Sequence, residues 1–270
     1  VSVSPTTAPT AFRLEPRPFI CGALHLTPFG FGRSRSRAEM EDYALANAEA
    51  FARGGIPALM IQDQTREPGA AALETVARMA ALVRLVKAAH PSLTLGVILQ
   101  AHDALAPIAV AAAAGADFVR LKVFAGEAMT AEGPKAALGV AAAQYRDALG
   151  RPDIGLLADV QDRTSLPLGG VPADRAAAWT ESLGADALVI TGDNFADTLS
   201  RIAGARKAGA RAPILIGGGI DEENVGEALR HAAGAIVSRS LMRPAAAPGP
   251  VRWDVDRARR LMERAAAAAP

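Results

Sequence analysis

The chain has a single cysteine, Cys21, so it can form no intrachain disulfide and no cysteine cage for a metal. Aromatic residues make up only 4% although 50% of the chain is hydrophobic, so the core must be built from Ala, Val, Leu and Ile. That composition suits thin, Ala-rich helices packed on aliphatic parallel strands. Neither charge sign is in excess: the formal net charge is +1, with no basic stripe and no acidic tail. Nucleic acid and anionic membrane surfaces are therefore not expected partners. No apolar run reaches the roughly eighteen residues that would span a bilayer. The opening VSVSPTTAPTAFRLEPRP lacks the basic region and apolar core of a secretory signal, and a cytoplasmic location is expected. Residues 1–17 read as a disordered lead-in, and 18–270 as one domain.

Within that domain, short buried runs alternate with helical spacing. Strand candidates are Phe19–Leu26, Ala58–Ile61, Leu93–Leu99, Asp117–Val123, Ile154–Val160, Ala187–Thr191, Ile214–Ile216 and Ala235–Val237. Between and after them, helices are predicted over Glu39–Arg53, Ala71–Ala89, Ala104–Ala114, Lys135–Leu149, Ala173–Leu183, Ala196–Ala208 and Asp254–Ala268, with another amphipathic stretch following the glycines at 217–219. One punctuation mark recurs, AGAD at 114–117 and LGAD at 183–186, with KAGAR at 207–211 and AAGA at 232–235 as relatives. In each, a helix ends in glycine and the chain turns at once into a strand. Eight such units with no leftover segment predict an α/β fold, a (β/α)8 TIM barrel, with a doubly wound open sheet as the runner-up.

In a closed barrel of this kind the site forms at the C-terminal ends of the strands, so polar residues there are the informative ones. Those residues are His25, Gln62 and Asp63, Gln100, Arg120 and Lys122, Asp159 and Gln161, and Thr191 and Asp193. Period-two alternation turns Phe118, Arg120 and Lys122 into the barrel, along with Leu157, Asp159 and Gln161. Two cations inside a barrel are costly unless paired or facing an anionic ligand, so a pair of Asp159 with Arg120 or Lys122 is expected. Such a pair serves either structure or catalysis. Lys122, one of four lysines in the chain, sits nearer the mouth. Asp103 reads as a helix cap and His102 as solvent-facing.

Gly217, Gly218 and Gly219 follow the seventh strand, and Ser238-Arg239-Ser240 follows the eighth. Glycine lets a ligand approach backbone N–H groups closely, and the loops after strands seven and eight are where such barrels grip phosphate. Arg239 would add a charged fork. A divalent metal on His25, Asp63 and Asp159 has no ligand spacing to support it, and no cofactor is expected.

Several stretches considered together resemble the BtpA/SgcQ family from Phe19 to Arg264: GALHLTPFG at 22–30, GADFVRLKVFAGEAMTAEG at 115–133, LLADVQDRTSLPLG at 156–169, DALVITG at 186–192, PILIGGGIDEENV at 213–225 and IVSRSL at 236–241. The resemblance implies a TIM barrel. The founding member is associated with biogenesis or stability of photosystem I, and other members carry phosphoribosyltransferase-like or nucleotidase-like labels. Arg120, Thr130, Gly133, Asp159 and Gly217–Gly219 fit the family pattern. Gln62-Asp63 stand where Glu-Asn is usual, Ile98 and Lys122 each stand where Asn is usual, and Gln161-Asp162-Arg163-Thr164 replace a His-x-Lys-His run. The phosphate end is kept and the reacting end rewritten. A changed substrate, a changed reaction and a loss of catalysis all fit that pattern.

The function expected is an enzyme acting on a phosphorylated small molecule, a sugar phosphate or nucleotide-like compound, by glycosyl or phosphoribosyl transfer, lyase or isomerase chemistry. Asp159 would serve as general acid/base, and Lys122 would lower its pKa or stabilise an oxyanion. His25 would be a second proton carrier, and Asp63 completes the set. Arg120, Thr191, Asp193, the three glycines and Ser238–Ser240 would bind substrate and phosphate. The alternative is a non-catalytic assembly factor on the same scaffold. A homo-oligomer is compatible with either.

Overall fold

The computed structural model describes residues 10–29, 36–65, 67–245, 247 and 249–268. Along the chain come β1 (Phe19–His25), α1 (Arg37–Arg53), β2 (Ala58–Gln62), α2 (Leu73–Ala89), β3 (Thr94–Ile98), α3 (Ala106–Ala114) and β4 (Phe118–Leu121). A hairpin of β5 (Glu127–Thr130) and β6 (Gly133–Ala136) precedes α4 (Gly139–Ala148), β7 (Gly155–Val160) and the two-residue β8 (Leu166–Pro167). Then follow α5 (Ala173–Ser182), β9 (Ala187–Ile190), α6 (Phe195–Lys207), β10 (Ile214–Ile216), α7 (Val225–His231), β11 (Gly234–Val237), a 3-10 turn at Arg239–Leu241, and α8 (Val255–Ala268). Eight strands close into a parallel barrel in the order β1-β11-β10-β9-β7-β4-β3-β2. The fold is the (β/α)8 barrel.

Alternation along the strands divides the apolar residues into two cores. Inside the barrel lie Phe19, Cys21, Ala58, Met60, Ile98, Phe118, Leu157, Val189, Leu215 and Ile236. Outside, residues such as Val119, Leu121, Leu156, Ala158 and Ile190 pack under the helices. With so few aromatics, one ring does much of the interior filling. A Cβ on Gly96 would lie 2.0 Å from the Phe118 ring, so glycine on β3 is what lets that ring cross the barrel.

The recurring Gly-Ala-Asp has a physical function at the strand entrances. Asp117 Oδ2 accepts the Leu95 amide (2.7 Å) and Lys87 Nζ (2.8 Å). Asp186 Oδ2 likewise accepts the Leu156 amide (2.7 Å) and Arg146 Nη1 (2.6 Å). Each aspartate thus satisfies an amide of the preceding barrel strand, β3 or β7, and ties it to the helix that leads into that strand, α2 or α4.

Three expectations are corrected. The lead-in was expected to run to residue 17, yet from residue 10 the chain is described. Leu14 joins the interior core, and Phe12 lies 6.3 Å from Phe118 with its amide bonded to Pro152 O (2.9 Å). Residues 1–9 lie outside the described residues. The helix expected from Lys135 begins only at Gly139, because residues 133–136 pair with β5. β8 adds a third strand to that hairpin, so the eight units do leave a segment over: a small antiparallel sheet in the order β6-β5-β8. Among the described residues no helix is long and apolar enough to cross a membrane.

Candidate functional site

β4 and β7 are neighbours in the barrel, and their inward side chains meet. Arg120 grips Asp159 with two parallel bonds, Nε to Oδ2 (2.9 Å) and Nη2 to Oδ1 (2.7 Å). The side chains are 11% and 1% exposed. Burial pushes the Asp159 carboxyl above its ordinary value, against the opposing pull of Arg120. One turn of alternation further along the chain, Lys122 Nζ donates to Gln100 Oε1 (2.7 Å) and lies 4.0 Å from Asp162 Oδ2.

Asp63 belongs to the same network but is fully buried. Its Oδ1 accepts the Gln100 amide (2.6 Å), and its Oδ2 accepts the Thr65 amide (3.2 Å) and the Thr65 hydroxyl. Burial raises its pKa, while those donors work the other way. Asp63 therefore braces the loops after β2 and β3, and through Gln100 it sets the acceptor that holds Lys122.

The small antiparallel sheet stands beside this network. Thr130 Oγ1 donates to Gly133 O (2.8 Å), and Gly133 has φ +106°, so these two residues shape the hairpin turn. His102 is half-buried instead of solvent-facing: its Nε2 donates to Ala136 O (2.8 Å). Buried Lys135 donates to Pro68 O, which fastens the hairpin to the loop after β2. Enclosed by these parts is a cavity of about 360 Å³, lined by Gln62, Gln100, Arg120, Lys122, Thr130 and Asp162 among others.

His25 borders a different cavity, of about 690 Å³, with Tyr43 and Trp253; Gln64 lines both. The His25 ring stands edge-on to Trp253 at 6.4 Å. Burial, then the charges of Arg120 and Arg239, hold its pKa below 6.5. The four candidate proton carriers thus divide: Lys122 faces the smaller cavity, Asp159 lies beneath it in the grip of Arg120, Asp63 is enclosed, and His25 borders the other cavity. Cys21 is buried and its thiol is pushed up to about 12, so it is no thiolate nucleophile at neutral pH. Among the described residues no group of three or more His, Cys, Asp or Glu is placed to hold a metal ion.

The three glycines after β10 are not equivalent. A Cβ on Gly217 would fall 2.1 Å from Thr191 Oγ1 and 2.8 Å from Val189, and Gly219 sits at φ +77°. Both are required by the turn, and Thr191 is what packs against the first. A Cβ on Gly218 would meet only Arg163 Nη2, at 3.9 Å, so the fold itself does not demand glycine there. Among the described residues, the amides of Gly218 and Gly219 and those of Arg239 and Ser240 in the next loop have no hydrogen-bond partner. The Ser238 and Ser240 hydroxyls are engaged: they donate to Ala23 O (2.8 Å) and Ile220 O (2.7 Å). Arg239 and Asp193 are exposed.

Asp162 and the hairpin residues went unrecognised in the sequence as parts of the site. The signal for Asp162 was its place two residues beyond Val160, the end of β7. The hairpin gave none stronger than Gly133, because its pairing with β8 joins residues far apart in sequence.

This is a (β/α)8 barrel whose mouth, at the C-terminal ends of the strands, carries a polar cavity. The sequence profile of the BtpA family matches residues 17–267, and the chain belongs to that family. It is 27% identical over 231 residues to the photosystem I biogenesis protein BtpA of Synechocystis sp., covering 83% of this chain and 80% of that one. An uncharacterized protein of Thermococcus kodakarensis is 28% identical over 257 residues, covering 93% and 96%. Among solved structures, tryptophan synthase from M. tuberculosis aligns with a TM-score of 0.61 at 15% identity, over 96% of this chain and 98% of that one. A native KDPGal structure aligns at 0.57 and 16% identity, over 92% and 95%. These likenesses concern the fold.

Proposed function

We propose that the protein is an enzyme that binds a phosphorylated small molecule across the barrel mouth. The observation that carries this reading is the set of unpartnered amides at Gly218, Gly219, Arg239 and Ser240, on the loops after two adjacent barrel strands. Backbone donors of this kind suit a phosphate without any side chain from the cup. The rest of the molecule would extend towards the 360 Å³ cavity, where Lys122 and Arg120 present positive charge. Lys122, already pointing a donor at Gln100, is placed to stabilise an oxyanion. Asp162 lines the cavity beside Lys122 and takes over the acid/base role first given to Asp159. Asp159 then acts through Arg120, fixing its guanidinium. His25 keeps a proton-carrying role only for a ligand long enough to pass Gln64. Lyase, isomerase and glycosyl-transfer chemistry are all served by this set of groups.

A second reading, an assembly factor, draws support from Met129 and Leu166, cross-strand neighbours on the small sheet that are 41% and 71% exposed. Its relative's name, a photosystem I biogenesis protein, points the same way.

A thermal-shift screen with inorganic phosphate, ribose 5-phosphate and common nucleotides tests the first reading. A ligand at 100 times its Kd adds about 2.7 kcal/mol of stability, which corresponds to roughly 5–11 °C in a domain near this size. Gly218→Val should keep the fold, since open space surrounds that position, and should abolish the shift. A screen with no shift, or a shift that survives Gly218→Val, overturns the phosphate reading.

A further inference from the structure

The loop after β7 crosses the mouth between the two ends of the proposed site. It begins at Gln161, which has φ +55° and is the one non-glycine residue with a positive φ among the described residues. Such a conformation is unfavourable for a residue with a Cβ and persists only where the surroundings hold it. Here Gln161 Nε2 donates to Val171 O (2.6 Å). The turn has two consequences. Asp162 comes to lie beside Lys122, and the next side chain, Arg163, crosses to the glycine loop, with Nη2 3.9 Å from the Cβ position of Gly218.

The loop is braced beyond that point as well. The Ser165 amide and hydroxyl both bond to Asp162 O (2.9 Å each), and Leu166 pairs with Met129 of the small sheet. Arg163 is therefore carried on a fixed support. Yet the guanidinium is exposed and has no hydrogen bond or ion pair among the described residues. An unpaired planar fork beside unpaired backbone amides leaves room for one kind of guest, an anion that both can share.

We propose that Arg163 is the anion clamp of this site and that it selects a phosphate monoester or inorganic phosphate by gripping two of its oxygens from the side opposite the glycine amides. This rests on the phosphate reading above. The bidentate fit of a guanidinium to phosphate supplies the geometry, and it is a fit that lysine reproduces only as a point charge. The clamp also links the two ends of the site, because Asp162 and Arg163 are consecutive on one braced loop.

The test is calorimetric titration of the full chain with inorganic phosphate. Arg163→Ala should weaken binding about ten- to hundredfold, in line with the loss of a charge-assisted hydrogen-bonded contact. Arg163→Lys should recover part of the loss. Arg175→Ala, which removes an equal charge from the exposed face of α5, should bind phosphate as the wild type does. Unliganded melting temperatures of both Arg163 variants should stay near the wild-type value, since Arg163 has no partner to lose among the described residues. Wild-type binding that is abolished by Gly218→Val but unchanged in Arg163→Ala leaves the cup standing and removes the clamp. Equal weakening in Arg163→Ala and Arg175→Ala reduces the effect to net charge and also overturns the proposal. If the wild type binds no phosphate at millimolar concentration, the clamp and the phosphate reading fall together.

Discussion

Replacing Asp159 with alanine strands a guanidinium inside the barrel. Arg120 is 11% exposed at the side chain and loses both of its short bonds, at 2.9 and 2.7 Å, in one step. Breaking one side of such a buried pair costs about 3–5 kcal/mol, because the partner charge stays largely buried without the carboxylate that paired it. For a chain of this size each kcal/mol lowers the melting temperature by about 2–4 °C, so Asp159→Ala should melt roughly 6–20 °C below wild type. Asp159→Asn keeps an acceptor oxygen and should fall between the two. Removing both charges, with Arg120→Met and Asp159→Leu together, should recover most of the loss, since a buried ion pair gives little net stability over an apolar pair of similar size. Differential scanning calorimetry of the four proteins measures this directly. A single variant within about 2 °C of wild type, or a double variant no better than the single, would refute the view that the charges are enclosed and mutually dependent.

Two other outcomes are expected. Asp186→Ala removes the acceptor of the Leu156 amide and the partner of Arg146, and should cost about 2–3 kcal/mol in chemical denaturation with phosphate binding intact; a loss within error would remove the structural account of the repeated Gly-Ala-Asp. Asp103 accepts the amides of Ala71, Leu105 and Ala106, and although burial pushes its carboxyl up, these donors hold it below its ordinary value of 3.8. A depressed carboxylate contributes stability that is present above the unfolded pKa and lost as pH falls through the folded value. Asp103→Ala should therefore cost about 1 kcal/mol at neutral pH, with the difference from wild type shrinking below pH 3.8; a difference independent of pH would mean the carboxylate charge is not what caps the loop.

Parts of this architecture were legible because they are local. The strand alternation that turned Phe118, Arg120 and Lys122 inward depends on backbone geometry alone, and a pair of Asp159 with Arg120 or Lys122 followed from the expense of burying such charges apart; the tertiary structure chose Arg120. The bonds from the Leu105 and Ala106 amides to Asp103 are local too, although the N-cap position of α3 is Leu105 and not Asp103. The glycine triplet was visible as a unit, but its division was not. Only packing against Thr191 and Val189 makes Gly217 structural, and only the open space at Gly218 frees that residue for a ligand.

Other features depend on pairings between residues distant in the chain. Lys135 lies in an Ala-rich stretch that reads as helix, yet it belongs to a strand because the hairpin is held by β8 and by Pro68. Phe12 looked like part of a loose polar leader until Phe118, a hundred residues away by order of magnitude, supplied a surface for it. His25 and Lys122, both at strand ends, face different cavities because the loop carrying Gln64 lies between those cavities. The sequence by itself determined the barrel, since eight alternating units with inward and outward faces leave few other ways to bury both. Tertiary structure decided which mouth residues share a cavity, because that depends on loops whose courses are set by contacts such as Asp63 with Gln100 and Arg163 beside Gly218, and no periodicity in the chain encodes those contacts.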